Sequence, residues 1–273
     1  MAELALIDGD VLLHLACPSR YTNNKGVTVI TLDDTGKKVP KEFTKDENAE
    51  YLEKCWIILQ KNLKELLDTL FVSDYLMAVK SPTNFRDEIY TDYKAHRKNK
   101  KTPSSTNETV QALRKLSIQY GLAIEAHDRE ADDFIRIWAE EAKRNGDDYI
   151  VCSNDKDLKC IPGRFYDVKK KQLEIISEDT AMRLYYEQLL KGDPTDNIPG
   201  LPGVGPVGAT KILENCKTEE EFQEQVIMHY LACYEDEWRD YLLSNGKMIH
   251  IQRHPNDFFT LEDWPLAQEL AIC

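Results

Sequence analysis

No stretch of ~18 apolar residues occurs in this chain of 273 residues, so no membrane-spanning helix is expected. The N-terminus, Met1-Ala2-Glu3-Leu4-Ala5-Leu6-Ile7-Asp8, lacks a basic leader. Its apolar stretch is cut short by acid, so it does not read as a signal peptide. No Cys-x-x-Cys pair is present; the seven cysteines are scattered singly, the usage of reduced thiols in a cytoplasmic protein. There is no internal repeat and no low-complexity tract. Positive charge is in deficit, with 35 Lys and Arg against 48 Asp and Glu and a net charge of −13. Taken alone, that balance argues against nucleic acid, whose binders are usually basic.

The charge that is there is unevenly spread. Lys80, Arg86, Lys94, Arg97, Lys98, Lys100 and Lys101 face only Asp87, Glu88 and Asp92 over the same 22 residues, a local excess of four positive charges. A solvated charged face would account for such a run equally well. Hydrophobic residues make up 42% of the chain, enough for a sizeable core, and the length fits a main domain with a smaller lobe.

Periodicity gives a coarse order of elements. Leu4 to Ile7 reads as a buried strand ending at Asp8-Gly9-Asp10. Residues 27–43 alternate about Asp34-Thr35-Gly36, as a hairpin would. Leu52, Trp56, Leu59, Leu63, Leu66, Leu67 and Leu70 mark one face of a helix from Asn48 to Phe71. Strands are expected at Tyr75–Val79, Leu122–Ala126 and Tyr149–Cys152, and helices over 107–120 and Arg129–Arg144. Strands alternating with helices imply an α/β fold with a parallel sheet covered on both faces. From about residue 178 the chain turns largely helical, with one Gly/Pro-rich passage from Gly192 to Gly208. The expected division is an α/β core over 1–190 and a helical lobe over 191–273.

Four acidic groups stand out: Asp8 and Asp10; Glu130, Asp132 and Asp133; Asp155 and Asp157; Asp193 and Asp196. Each alone has an ordinary reading: a tight turn for the first, complement to a helix dipole for the second, loop acids for the last. Two of the groups directly follow strands, and ligands of open α/β sheets bind beyond the carboxyl ends of strands. Convergence of all four on one cleft would be costly without cations, since two charges 4 Å apart repel by roughly 4 kcal/mol at an effective dielectric near 20. An all-oxygen donor set selects Mg²⁺ or Mn²⁺. Two such ions can activate water and stabilise the leaving oxygen of a phosphodiester.

These motifs, in order, resemble the flap endonuclease/5′–3′ exonuclease family: Ile7-Asp8-Gly9-Asp10, Phe85-Arg86, Tyr93-Lys94-x-x-Arg97, Glu130-Ala131-Asp132-Asp133, Asp155-x-Asp157 and Gly192-Asp193-x-x-Asp196-Asn197-Ile198-Pro199-Gly200. The bacteriophage 5′ nucleases and the N-terminal nuclease domain of bacterial DNA polymerase I belong to that family. The resemblance runs from about residue 4 to 215. It implies a PIN-like core, a helical arch from Asp87 to Thr106, and a helix–three-turn–helix at Gly200–Lys211. It further implies that Asp8, Glu130, Asp132 and Asp155 hold one metal and that Asp133, Asp157, Asp193 and Asp196 serve a second. Lys94 and Arg97 would contact the scissile phosphate at the base of the arch. Arg86, Tyr93 and Lys98 would meet DNA there, and Gly203, Gly205, Gly208 and Lys211 would meet the duplex backbone, with a K⁺ ion held by turn carbonyls. Bare N–H groups at a Gly-rich helix start suit a phosphate in any case, and such contacts position a protein without reading sequence.

The implied activity is Mg²⁺-dependent hydrolysis of DNA at free 5′ ends, flaps or duplex ends by a monomer, with an RNA–DNA hybrid as a further candidate substrate. The length leaves no room for a polymerase-sized partner, so a stand-alone nuclease is expected, nearer to phage proteins than to cellular ones. One departure matters. The family carries an aspartate shortly before Phe85-Arg86, and Ala78-Val79-Lys80-Ser81-Pro82-Thr83-Asn84 contains no acid. Asp10 could compensate, water could fill the place, or the site could be weakened. The competing readings are a non-catalytic DNA-binding member of the fold and a PIN-like ribonuclease, which would lack the helix–three-turn–helix. Residues 218–273 carry no recognisable motif. Within them Phe222, Val226, Tyr230, Cys233 and Trp238 read as a helical packing face.

Overall fold

A computed structural model describes residues 3–18, 30–32, 36, 38–40, 44–90, 92–94 and 104–272. Arg97, Lys98 and the rest of the expected arch over 95–103 lie outside the described residues, as does most of the loop around the 27–43 hairpin.

Six strands form one sheet: β1 (Glu3–Asp8), β4 (Asp74–Lys80), β5 (Ile124–Ala126), β6 (Asp148–Ser153), β7 (Gly163–Asp167) and β8 (Gln172–Ile176), in the spatial order β5-β4-β1-β6-β7-β8. All neighbours run parallel except β7 and β8. The expected strands are thus present, and β7 and β8 extend the sheet beyond them. Two short strands, β2 (Ile30–Leu32) and β3 (Lys38–Pro40), make the separate antiparallel hairpin.

Among the described residues the α-helices are α1 (Gly9–Ala16), α2 (Lys45–Leu70), α3 (Phe85–Ile89), α4 (Ser104–Gln119), α5 (Ala131–Asn145), α6 (Glu178–Lys191), α7 (Pro206–Leu213), α8 (Glu219–Tyr234), α9 (Trp238–Ile249) and α10 (Pro265–Ile272). Local chemistry sets the ends of the long ones. Thr44 Oγ1 accepts from the Glu47 amide at 3.2 Å and Glu47 Oε2 accepts from the Thr44 amide at 2.9 Å, a capping box that starts α2. Phe71, in the left-handed region at φ 57°, ends it.

Strand alternation builds two apolar layers. Ala5 and Ile7 of β1, Met77 and Val79 of β4 and Cys152 of β6 face α1, α2 and α4. Leu6, Ala78 and Val151 face the other way, against Ile135 and Ala139 of α5 and Ala181 of α6. Helices therefore cover both faces of the sheet. A third cluster joins Tyr186, Leu189 and Leu190 of α6 to Leu213, Phe222, Val226, Tyr230, Trp238 and Trp264. The apolar face expected in the C-terminal segment is present except for Cys233, which is exposed. Among the described residues no helix is long and apolar enough to cross a membrane.

Candidate metal centre and nucleic-acid interface

Parallel strands place their carboxyl ends on one edge, and the acids gather there. Asp8 ends β1, Asp155 lies two residues past the end of β6 at Ser153, and Glu130 opens α5 after the turn from β5. Asp8 is buried, and its Oδ2 accepts from Ser153 Oγ at 2.8 Å. Ser153 Oγ in turn accepts the Asp155 amide at 3.0 Å, and Asp155 Oδ1 accepts the Asp157 amide at 3.0 Å. Gln188 Nε2 on α6 donates to Asp157 Oδ1 at 2.8 Å. Ser153 and Gln188 orient ligand-type carboxylates and were not singled out from sequence. Ser153 was findable, as a hydroxyl two residues before Asp155 at a strand end, whereas Gln188 lies 31 residues from its acid.

Burial, with Asp10 and Asp155 nearby, pushes the Asp8 carboxyl up to about 7. Burial next to Asp155 and Asp193 does the same for Asp157, also to about 7. Asp132 is raised well above the ordinary value by burial and by Asp8, Glu130 and Asp155. The charges acting on Asp8, Asp132 and Asp157 come from Asp10, Glu130, Asp155 and Asp193, which joins these acids in one electrostatic cluster. Among the described residues no three of these side chains form a ready-made metal cage. The donor chemistry nonetheless fits a hard divalent cation, being all carboxylate oxygen with several charges that destabilise one another.

The loop carrying Asp193 and Asp196 is cinched at its neck. Asp193 and Ile198 exchange backbone hydrogen bonds of 2.9 and 2.8 Å, and Asp193 Oδ1 accepts the Thr195 amide at 2.7 Å. Lys94 enters the cluster from the other side. It is left-handed at φ 54°, its amide donates to the Asp196 carbonyl at 2.9 Å, and its ammonium pairs with Glu130 and, at 3.4 Å, with Asp196. Tyr93 is buried and donates its hydroxyl to Glu130 Oε2 at 3.1 Å.

Four expected site residues are engaged by protein partners. Asp10 Oδ1 accepts from Arg114 Nε at 2.9 Å and Nη2 at 2.6 Å, and its Oδ2 accepts the Lys80 amide at 3.0 Å. These three donors hold the carboxylate and leave one of its four acceptor positions, and it lies near enough to Asp8 to help raise that carboxyl. Asp133 and Arg86, expected at metal and DNA, are 0% and 1% exposed and form a bidentate pair at 2.7 and 2.9 Å. A fully buried guanidinium has no route to a phosphate. Tyr93, expected at DNA, sits in the apolar cluster of the C-terminal helices.

At the start of α7, Gly205 is the N-cap and Pro206 follows. Gly203 has φ +77°, a backbone that needs glycine, whereas Gly205 at φ −94° does not. A methyl group on Gly205 would meet nothing within 4 Å, and one on Gly208 would meet Val204 at an ordinary 3.6 Å. Val207 and Lys211 are exposed beside them. The helix start is therefore bare and open to a partner.

A family model described as the 5′–3′ exonuclease, N-terminal resolvase-like domain matches residues 3–191. The chain is 37% identical over 152 residues to DNA polymerase I of Bacillus caldotenax, covering 50% of this chain and 17% of that protein. It is 32% identical over 202 residues to DNA polymerase I of Geobacillus stearothermophilus, covering 66% of this chain and 22% of that one. It spans about a fifth of the length of these curated relatives. Among solved structures it is similar to a bacteriophage T5 5′-exonuclease with bound divalent zinc, with TM-score 0.56 and 13% identity over 91% of this chain and 100% of that one. A bacteriophage T5 flap endonuclease in a pseudo-enzyme–product complex with DNA and metal ions gives TM-score 0.55 and 14% identity over 90% and 99%. At such identities the likeness is one of fold.

Proposed function

This chain belongs to the 5′–3′ exonuclease family, and we propose that it is a divalent-metal-dependent, structure-specific 5′ nuclease that hydrolyses DNA phosphodiesters near free 5′ ends. The observation that carries this reading is the carboxylate cluster at the carboxyl edge of the sheet, with three members whose pKa values are raised, facing the Lys94 ammonium.

Asp8, Glu130, Asp132 and Asp155 would hold one ion and Asp157, Asp193 and Asp196 would serve a second. Mg²⁺ or Mn²⁺ bound there would supply a polarised water and charge neutralisation at the leaving oxygen. The chain's own groups do the remainder. Ser153 and Gln188 fix the directions of Asp8 and Asp157 by hydrogen bonds. Lys94, held by its backbone to the Asp196 loop, would turn its ammonium from the acids to the scissile phosphate and stabilise the charge that develops there. Arg97 and Lys98 would extend that positive surface.

Duplex binding falls to the bare helix start at Gly203, Gly205 and Gly208, with Lys211 beside it and a K⁺ ion at the turn carbonyls. A helix N-terminus favours phosphate without reading base sequence. Residues 1–190 would form the nuclease core and 191–273 the lobe that carries this contact, in a monomer. The relatives named DNA polymerase I favour a role in replication, in which RNA–DNA hybrid ends would also be substrates.

A substrate panel tests the assignment: a 5′-flap duplex, a blunt duplex, an RNA–DNA hybrid and single-stranded RNA, each 5′-labelled, in Mg²⁺. Cleavage of the branched or duplex substrates well above the single strand is expected. Preferential cleavage of single-stranded RNA would favour the PIN-like ribonuclease. Tight duplex binding with no cleavage in Mg²⁺ or Mn²⁺ would favour the non-catalytic reading, to which the acid-free Ala78–Asn84 segment lends its support.

A further inference from the structure

We infer that the segment from Met248 to Phe258 is a brace that positions the cleft, acting through a buried Arg86–Asp133 pair that touches neither metal nor DNA. The inference rests on the nuclease reading for its kinetic consequence only.

Four hydrogen bonds tie up the Arg86 guanidinium. Nη1 and Nη2 donate to Asp133 Oδ2 and Oδ1 at 2.7 and 2.9 Å, Nε donates to the Met248 carbonyl at 3.1 Å, and Nη2 donates to the His250 carbonyl at 2.6 Å. Asp133 is equally committed. Besides Arg86, its Oδ1 accepts the Gln252 amide at 3.0 Å and its Oδ2 accepts the Glu130 amide at 3.1 Å. Each oxygen thus receives two donors, which fills a carboxylate's four acceptor positions. No lone pair is left for an ion. Burial alone would raise the Asp133 carboxyl, but the Arg86 charge and these hydrogen bonds overcome it and hold its pKa below the ordinary value.

The partners on the C-terminal side are the carbonyl of Met248 in the last turn of α9, the carbonyl of His250 at its C-cap and the amide of Gln252 just beyond, so the pair caps this helix end and holds the chain that leaves it. Phe85 adds a ring contact to Phe258, edge-on at 5.3 Å. The stretch is closed on itself by Asp257, whose Oδ2 lies 2.9 Å from His250 Nε2 and accepts from Arg253 Nε at 2.9 Å. The adjacent residues Phe85 and Arg86 thus both grip the C-terminal segment.

The consequence for the cleft runs through Glu130. Its amide is bound by Asp133, and its carboxylate receives Tyr93 and Lys94. A brace on Asp133 therefore fixes the start of α5 and, with α3, the approach to Lys94. Arg86 and Asp133 are positioning residues.

The test is a double-mutant cycle with Arg86→Gln and Asp133→Asn, read by Tm, by Mg²⁺ binding without DNA, and by single-turnover cleavage of a 5′-flap duplex. Each single change strands a buried charge and should lower Tm by about 10 °C or more. The double variant should lose clearly less than the sum of the two. Its Mg²⁺ affinity should fall by less than about 10-fold, because Glu130 is one of several acids in the cluster, while its single-turnover rate falls about 10-fold at flap affinity within about 3-fold. Additive losses in Tm, a fall in Mg²⁺ affinity beyond about 10-fold, or an unchanged rate would each overturn the brace. A measurement on the unaltered protein covers variants that do not fold. The Glu130 and Gln252 amides should be protected from hydrogen exchange equally with and without Mg²⁺. Loss of protection at Gln252 on adding Mg²⁺ would mean that Asp133 turns to the ion, and the inference fails. These Tm and exchange readings stand even if no cleavage is found, so the pairing and the nuclease reading fail separately.

Discussion

Gly192 and Gly200 lie backbone against backbone, so close that a methyl group on Gly192 would come 2.5 Å from the Gly200 nitrogen and one on Gly200 would come 2.3 Å from the Gly192 nitrogen. Both have positive φ, 67° and 62°. The contact closes the neck of the loop that presents Asp193 and Asp196. Gly200→Ala should destabilise the protein by about 3 kcal/mol, combining roughly 1–2 kcal/mol of left-handed strain with 1–3 kcal/mol of overlap. Thermal unfolding checks the loss. Mg²⁺ affinity measured on the folded fraction should fall as well, because both acids are displaced. A variant with unchanged Tm would show that the neck is slack.

Lys94 reports on the chemical step. Lys94→Ala should lower the single-turnover rate about 10²–10³-fold, the scale of removing one donor to a developing oxyanion. Flap affinity should change little, because one phosphate contact among many is lost. Equal losses in rate and affinity would reduce Lys94 to a binding residue.

Proton and metal should compete in the cleft. Asp8 and Asp157 have folded-state pKa values raised to about 7, far above the ~3.9 of an unfolded aspartate. For such groups the folded state binds more protons than the unfolded state between those values. Their contribution is therefore complete below pH ~4 and is lost as pH rises through about 7. Without metal, the stability attributable to these acids should fall over that window. The gain in Tm on adding Mg²⁺ should grow from pH 5 to pH 8, as the ion replaces protons. A Mg²⁺ effect that is flat in pH would contradict this account.

Gly205 separates folding from DNA binding. The position has no steric need for glycine, and aspartate is a good N-cap that complements the helix dipole. Gly205→Asp should leave Tm unchanged or raise it by a few degrees. It should weaken duplex binding about 10-fold or more, since it sets a negative charge where a phosphate would sit. A filter-binding or anisotropy titration checks this, and unchanged affinity would remove the helix start from the DNA interface.

Much of this architecture was legible because it depends on local pattern. Asp8 and Asp155 stood out as acids directly after apolar strands, and parallel strands carry such residues to one edge. The pair β7 and β8 was not legible. β8 lies at the sheet edge with Leu173 and Ile175 exposed and only Ile176 in the core, so its apolar alternation marks the outer face and misleads. The roles of Asp10 and Asp133 were hidden for a different reason. An acid in a motif looks the same whether it holds an ion or an arginine, and the deciding partners, Arg114 and Arg86, lie 104 and 47 residues away. Asp10 is the nearest substitute for the acid absent from Ala78–Asn84. Arg114 and the Lys80 amide hold its carboxylate beside Asp8, and Asp10→Ala, read by Mg²⁺ affinity, separates it from water coordination of the gap.

The most direct test of the account is cleavage of a 5′-labelled flap duplex in Mg²⁺ and in EDTA, with Asp155→Ala alongside. The account predicts short 5′ products that require Mg²⁺ and that fall by about 10³-fold or more in the variant. Duplex binding without cleavage in Mg²⁺ or Mn²⁺, or cleavage that Asp155→Ala leaves intact, would contradict it.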